Sequence, residues 1–225
     1  MLNNTYMLVL STLLMGTVSM GGAAVEKDLE HEVQWFMVMD DFMHEERWAR
    51  AERLIAHGEK LYPIIRQKLQ TTTDSFGISR LLSLVIEAPG DHSKMMPAIR
   101  ELVESQAAKD DPRVLFHVAS TLGKIGSKED VPILLDLFRF DPGTPEVEAL
   151  GSHRVRVLAA RALADHAGPA AIEPMEQSIQ KRAADLNREQ IRRDPSFLEG
   201  YLAIAHIRYR ALIHSALESD SEEKD

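Results

Sequence analysis

Nine histidines and a surplus of carboxylates are the first places where this sequence could hold chemistry. Asp28 and His31 are three residues apart, as are Asp41 and His44, so each pair shares one face of a helix. Carboxylate–x–x–His pairs build dinuclear metal sites in helical bundles, where further helices add inward-facing carboxylates. Here Asp41 runs into Glu45 and Glu46, a strongly charged stretch that reads as a solvated helix face. Met37, Met39 and Met43 beside His44 could supply soft ligands, but Trp35 and Phe36 adjoin them and they read as core filling. His117 stands between Phe116 and Val118 and reads as a packed side chain rather than a base. The neighbours Asp40–Asp41 and Asp110–Asp111 would diverge by about 100° on a helix, a poor acid–base arrangement.

The familiar catalytic spacings are absent. There is no HExxH, no G-x-S-x-G elbow, no P-loop and no G-x-G-x-x-G, so their chemistries have no carrier here. The chain has no cysteine, which excludes disulfides, thiolate zinc sites, iron–sulfur clusters and cysteine nucleophiles. A net charge of −9 at pH 7 argues against a nucleic-acid partner, since such binding draws on clustered Lys and Arg. The expectation is a protein that is not an enzyme, holds no metal or cofactor, and binds a protein or peptide.

The elements that would carry such a surface are helical. The chain has 225 residues, 44% of them apolar and only 6% aromatic, enough for one core of helices. Residues 110 to 126 read DDPRVLFHVASTLGKIG and residues 155 to 168 read VRVLAARALADHAG. With Leu122 set on Leu163, Val114 meets Val155, Ala119 meets Ala160, and Val131 meets Ile172. Leu54 and Ile86 continue the frame backwards, with anchor spacings of 32, 36 and 41 residues, the range of helical repeat arrays. Each unit reads as two helices. The second opens near a proline, at Pro63, Pro97, Pro132 or Pro174, and Gly126 and Gly168 stand as helix caps between the pair.

DPRVLFHVASTLGKIGSKEDVPILLDLF resembles the HEAT-like helical repeats of the PBS-lyase type. Residues Val155, Arg156, Ala159, Ala162 and Leu163 carry the resemblance in the fourth unit. The sequence departs from the family where Leu115 replaces the usual Arg, which weighs against an unbroken buried Arg–Asp ladder. The resemblance implies an all-α fold: a right-handed α-solenoid of about four HEAT-like helix pairs, 51–183, with helical caps. It implies a partner held on a concave face or an edge, and no fixed chemistry. The N-terminal cap is expected over 25–50, with Trp35, Phe36, Met39, Phe42, Met43 and Trp48. Two capping helices split at Asp194–Pro195 are expected over 184–217, and a frayed acidic tail over 218–225.

Second helices would line the concave face with Arg66, Lys68, Arg100, Glu104, Asp136, Arg139, Glu176 and Lys181. These signs are mixed, as suits a protein or peptide partner. An insertion from Asp141 to Ser152 lengthens the link between units three and four; it is either a tolerated loop or part of a binding edge. Residues 1–24 carry no charged side chain, are apolar from Tyr6 to Val18, and place Gly22 and Ala24 before Val25. They read as a cleaved signal peptide, with an uncleaved anchor or a packed apolar helix as alternatives. The protein is then expected in the periplasm or outside the cell, without membrane insertion after cleavage. Two competing readings are a small exported metal- or cofactor-binding helical protein built on Asp28, His31, Asp41 and His44, and a docking domain of a larger exported enzyme system.

Overall fold

The structure, a computed structural model, describes residues 27–39, 44–141 and 152–222. The expected leader 1–24, Asp40 to Met43, most of the 141–152 insertion and the last three residues lie outside them, as do the side chains of His44 and of residues after Leu217. Among the described residues the chain is all-helical, with no strand. Helix α1 spans 27–38. It is followed by α2 (His44–Ile55), α3 (Tyr62–Thr71), α4 (Ser75–Glu87), α5 (Met96–Val103), α6 (Gln106–Asp110) and α7 (Pro112–Ile125). Then come α8 (Val131–Arg139), α9 (Ser152–His166), α10 (Ile172–Ala184), α11 (Arg188–Arg193) and α12 (Pro195–Glu222).

One construction occurs four times. The pairs α2/α3, α4/α5, α7/α8 and α9/α10 are each joined by a short 3-10 turn: Gly58–Leu61, His92–Lys94, Lys128–Asp130 and Pro169–Ala171. Pro63, Pro97 and Pro132 sit in the first turns of α3, α5 and α8, where a missing N–H removes no helical hydrogen bond. Gly126 and Gly168 lie in these turns as expected, but neither is left-handed, with φ of −72° and −97°. The chain leaves α7 and α9 extended, ready to enter the next turn. Gly126 is needed for space instead, since a Cβ there would lie 2.2 Å from the Leu122 carbonyl oxygen.

First helices pack on one another in chain order, α2 on α4, α4 on α7, α7 on α9 and α9 on α12. Second helices do so in two places, α3 on α5 and α8 on α10, and α5 and α8 also rest on α7 and α9. One cluster of buried side chains runs through the whole set, from Leu29 to Ile207. Small residues set the closest approach: a Cβ on Gly123 of α7 would meet Ala162 of α9 at 3.4 Å. The expected anchors Leu54, Leu122 and Leu163 are buried, whereas Ile86 is half-buried in the last turn of α4 and Leu84 and Val85 are buried in its place.

The two ends differ from expectation in detail. At the start, α1 buries Leu29, Val33, Phe36 and Met37, and Met39 is buried beyond it, while Trp35 and Trp48 are exposed. Arg80 of α4 donates to the Met37 carbonyl at 2.6 Å, which ties α1 onto α4. The boundary expected at residue 50 falls inside α2. At the other end α11 and α12 break at Asp194–Pro195 as expected, but α12 continues to Glu222, through most of the segment expected to fray. Helix α6, between the second and third pairs, has no counterpart in the expected repeat.

Helix α7 shows how the chain starts these elements. Asp111 accepts a hydrogen bond from the Arg113 N–H at 2.9 Å, and Pro112 follows it. Burial by itself raises the Asp111 carboxyl. The Arg113 side chain and N–H and the Ser75 hydroxyl outweigh that, so Asp111 titrates below its ordinary value. Asp111→Ala is expected to cost about 1 kcal/mol, read as a lower urea midpoint with an unchanged slope.

Candidate functional site

The charges expected to face a partner along the second helices are mostly engaged within the protein. Arg66 donates to the Lys94 carbonyl at 2.6 Å. Lys68 pairs with Glu30 at 3.2 Å, and Arg100 donates to Asp130 at 2.7 Å. Asp136 and Arg139 pair at 3.4 Å, and Glu176 accepts from Arg208 at 2.6 Å. Glu104 and Lys181 are exposed. Exposed pairs such as Asp136–Arg139 contribute little and break at little cost.

Lys181 stands at the edge of a recess of about 360 Å³ between the end of α8 and the outer face of α10. Arg139 and Asp141 form one wall, and Gln177, Ser178, Lys181 and Arg182 form the other, with Pro174 and Asp185 also lining it. Asp141 is also the first residue of the expected insertion. Arg139, Lys181 and Arg182 line the recess with Asp141 and Asp185, and Arg139 and Arg182 are also paired with Asp136 and Asp194. Its one hydroxyl, Ser178, has no histidine among the lining residues, so the recess offers no nucleophile–base pair.

Behind the recess lies a buried charge cluster that fixes its back wall. Asp194 caps α12, accepting from the Ser196 N–H at 2.9 Å and the Ser196 hydroxyl at 2.6 Å. Arg182 of α10 donates to Asp194 and, at 2.9 Å, to the Ser196 hydroxyl, and lies over the Phe197 ring at 4.6 Å. Arg156 of α9, 4% exposed, reaches Asp194 at 3.3 Å and the Phe140 carbonyl after α8 at 3.1 Å. One carboxylate thus joins α9, α10 and α12. Burial pushes its pKa up, but the two bonds from Ser196 and the charges of Arg182 and Arg156 prevail and hold it below the ordinary value. A helix N-terminus favours the same charged form.

Sequence reasoning missed this cluster. Arg156 was noticed only as a residue matching the repeat pattern, and Asp194 only as a helix break. The usable signal was the dipeptide: Asp194–Pro195 repeats Asp111–Pro112, a cap followed by proline at the first helical position.

Among the described residues, those singled out for metal or acid–base chemistry are not brought together. Asp28 and His31 are exposed on α1, Met37 and Met39 are buried, and Asp41 and Met43 lie outside the described residues. No group of three or more His, Cys, Asp or Glu placed to hold a metal occurs among the described residues. His117 is half-buried against the edge of Phe116, ring centres 5.0 Å apart, and burial lowers its pKa. Asp110 is exposed at the end of α6 while Asp111 caps α7. Among the described residues no helix is long and apolar enough to cross a membrane. Comparison with protein-family models, curated proteins and solved structures gave no match.

Proposed function

We propose that the protein is a non-enzymatic interaction or scaffold module of the cell envelope, built as a HEAT-like α-solenoid, that holds an acidic segment of a protein or peptide partner in the recess between α8 and α10. The observation that carries this reading is the placement of Lys181. Most other second-helix charges are tied to neighbouring residues, whereas Lys181 is exposed beside Arg139 and Arg182 at the recess. The repeated helix, 3-10 turn, helix construction and the chain-order packing of first helices support the array. The resemblance of residues 111–138 and 155–179 to HEAT-like repeats supports it further. Export rests on the uncharged, apolar character of residues 1–24.

A pull-down from envelope extracts tests the reading, with the tagged full chain compared with Lys181→Glu/Arg139→Glu and with a chain whose 141–152 loop is replaced by Gly-Ser. The charge reversals are expected to lower retention of a specific partner at least about tenfold, because like charges across an interface cost several kcal/mol. Their melting temperature should stay near that of the wild type, since both residues are exposed. Equal retention by all three proteins would remove the recess from the interface. No specific partner for any of them would count against the scaffold role itself.

A further inference from the structure

The face of α12 turned away from the body is apolar. Leu198, Leu202, Ala205, Tyr209 and Leu212 follow at spacings of four, three, four and three residues, and all are exposed. Tyr201 and Ile213 widen the stripe, and Leu198, Tyr209 and Leu212 are each more than 60% exposed. The opposite face, with Phe197, Gly200, Ala203, Ile204 and Ile207, is buried. Two ion pairs of 2.6 Å, Glu199 with Arg161 and Arg208 with Glu176, border the stripe and hold α12 to α9 and α10. From Leu212 to Leu217 every residue is exposed, so the last turns of α12 run past the body. A helix end of that length has little stability alone, and a monomer rarely leaves so large a contiguous apolar patch bare.

Alternating spacings of four and three make the seam of a coiled coil, so the occupant that fits is another helix. The stripe is also nearly symmetric about Ala205. Leu198 and Leu212 stand seven residues to either side, and Leu202 and Tyr209 stand three and four. Rotated end for end about a two-fold axis at Ala205, the stripe meets itself. Leu198 then opposes Leu212 of the second copy, Leu202 opposes Tyr209, and the small Ala205 residues let the backbones approach. Six large apolar side chains per copy, two of them tyrosines, supply area of the order of the ~1,000 Å² that a specific interface needs.

We propose that two copies of this chain associate through antiparallel pairing of α12 about Ala205. The pairing stands on α12 alone and holds whether or not the α8–α10 recess binds a partner. If both are present, the dimer carries two recesses and gains avidity for a partner that offers two acidic segments.

Sedimentation of the full chain over a range of concentrations tests this. A dimer at micromolar concentration is expected, with Leu202→Glu or Leu212→Glu raising its dissociation constant at least about 30-fold while the far-ultraviolet circular dichroism stays unchanged. Because the chain has no cysteine, single introduced thiols report the register. Under mild oxidation Ala205→Cys is expected to form a covalent dimer at least tenfold faster than the exposed control Lys128→Cys. Leu198→Cys should cross-link to Leu212→Cys in a mixture and not to itself. A chain that stays monomeric, whether its own leader or another protein covers the stripe, overturns the proposal. So does Leu198→Cys joining itself as fast as Ala205→Cys joins itself, and so does a stripe substitution that leaves the dissociation constant unchanged.

Discussion

Asp194→Ala is expected to cost about 3–5 kcal/mol, the usual effect of removing one partner from a buried ion cluster. For a chain of this size that lowers the melting temperature by roughly 10 °C. The loss has two sources. The cap of α12 goes, worth about 1 kcal/mol, and the Arg156 guanidinium, 4% exposed, loses the Asp194 carboxylate in a buried place. Asp194→Asn separates them, because asparagine caps helices as well as aspartate does but carries no charge. It should retain the cap and still lose about 2 kcal/mol. The same carboxyl sets an acid limit on stability. Its folded pKa lies below the ordinary 3.8, so its contribution is complete above that value and is lost as the pH falls through the folded pKa. Melting curves of the wild type and Asp194→Asn, well separated at pH 7, should therefore converge in strong acid. An asparagine variant that melts with the wild type at neutral pH would show that the cluster contributes no net stability.

This cluster also marks the limit of what could be read from the chain. The helical class, the proline-started second helices and the break at Asp194–Pro195 followed from apolar spacing and breaker residues, which act locally. Which charges face inward did not, because that depends on which helix arrives opposite them. Leu115 was noticed as a departure from the resembled family's arginine, and it is simply buried, while the buried arginine sits in the next unit at Arg156. Asp130 is fully buried and bonded to Arg100, and nothing in its local sequence marks it. Burial in the stack also broadens each apolar stripe. In α8 Leu135 is half-buried and Leu137 is buried, because that helix rests on both α9 and α10 and a single face is too narrow to describe it.

The candidate surfaces were legible to different degrees for the same reason. Lys181 and Arg139 stood out as charges on second helices, but only the folded pairs show that Arg66, Lys68, Arg100 and Glu176 are engaged elsewhere. The 141–152 insertion was visible as a break in period, and the recess opens at its first residue, Asp141. The apolar stripe of α12 was hidden because two opposite faces of that helix are apolar. Without knowing that Phe197, Ala203, Ile204 and Ile207 face α9 and its neighbours, nothing distinguishes them from Leu198, Leu202 and Tyr209. Two apolar faces on one helix suggest burial on both sides; here one of them is open.

The second large effect is expected where α12 crosses α8 and α10. Gly200 lies inside a long helix, where it costs about 1 kcal/mol relative to alanine. Close packing accounts for its presence. A Cβ at Gly200 would lie 2.9 Å from Cζ of Phe138 and 3.0 Å from Cδ1 of Ile179. The Phe138 ring is fully buried and has no room to retreat, whereas the Ile179 methyl group can turn aside. Phe138→Ala alone is expected to cost about 3–5 kcal/mol through the cavity it leaves. Gly200→Ala alone should cost about 1 kcal/mol, because overpacking of about 1–3 kcal/mol outweighs the gain in helix propensity. With the ring gone the sign reverses, and in the Phe138→Ala background Gly200→Ala should stabilise by up to about 1 kcal/mol. Urea unfolding of the wild type, the two single variants and the double variant then gives a coupling of about 2 kcal/mol. Sites that do not touch add within about 0.5 kcal/mol. Additive losses here would mean that the ring does not determine the glycine, and that α12 sits farther from α8 than 2.9 Å implies.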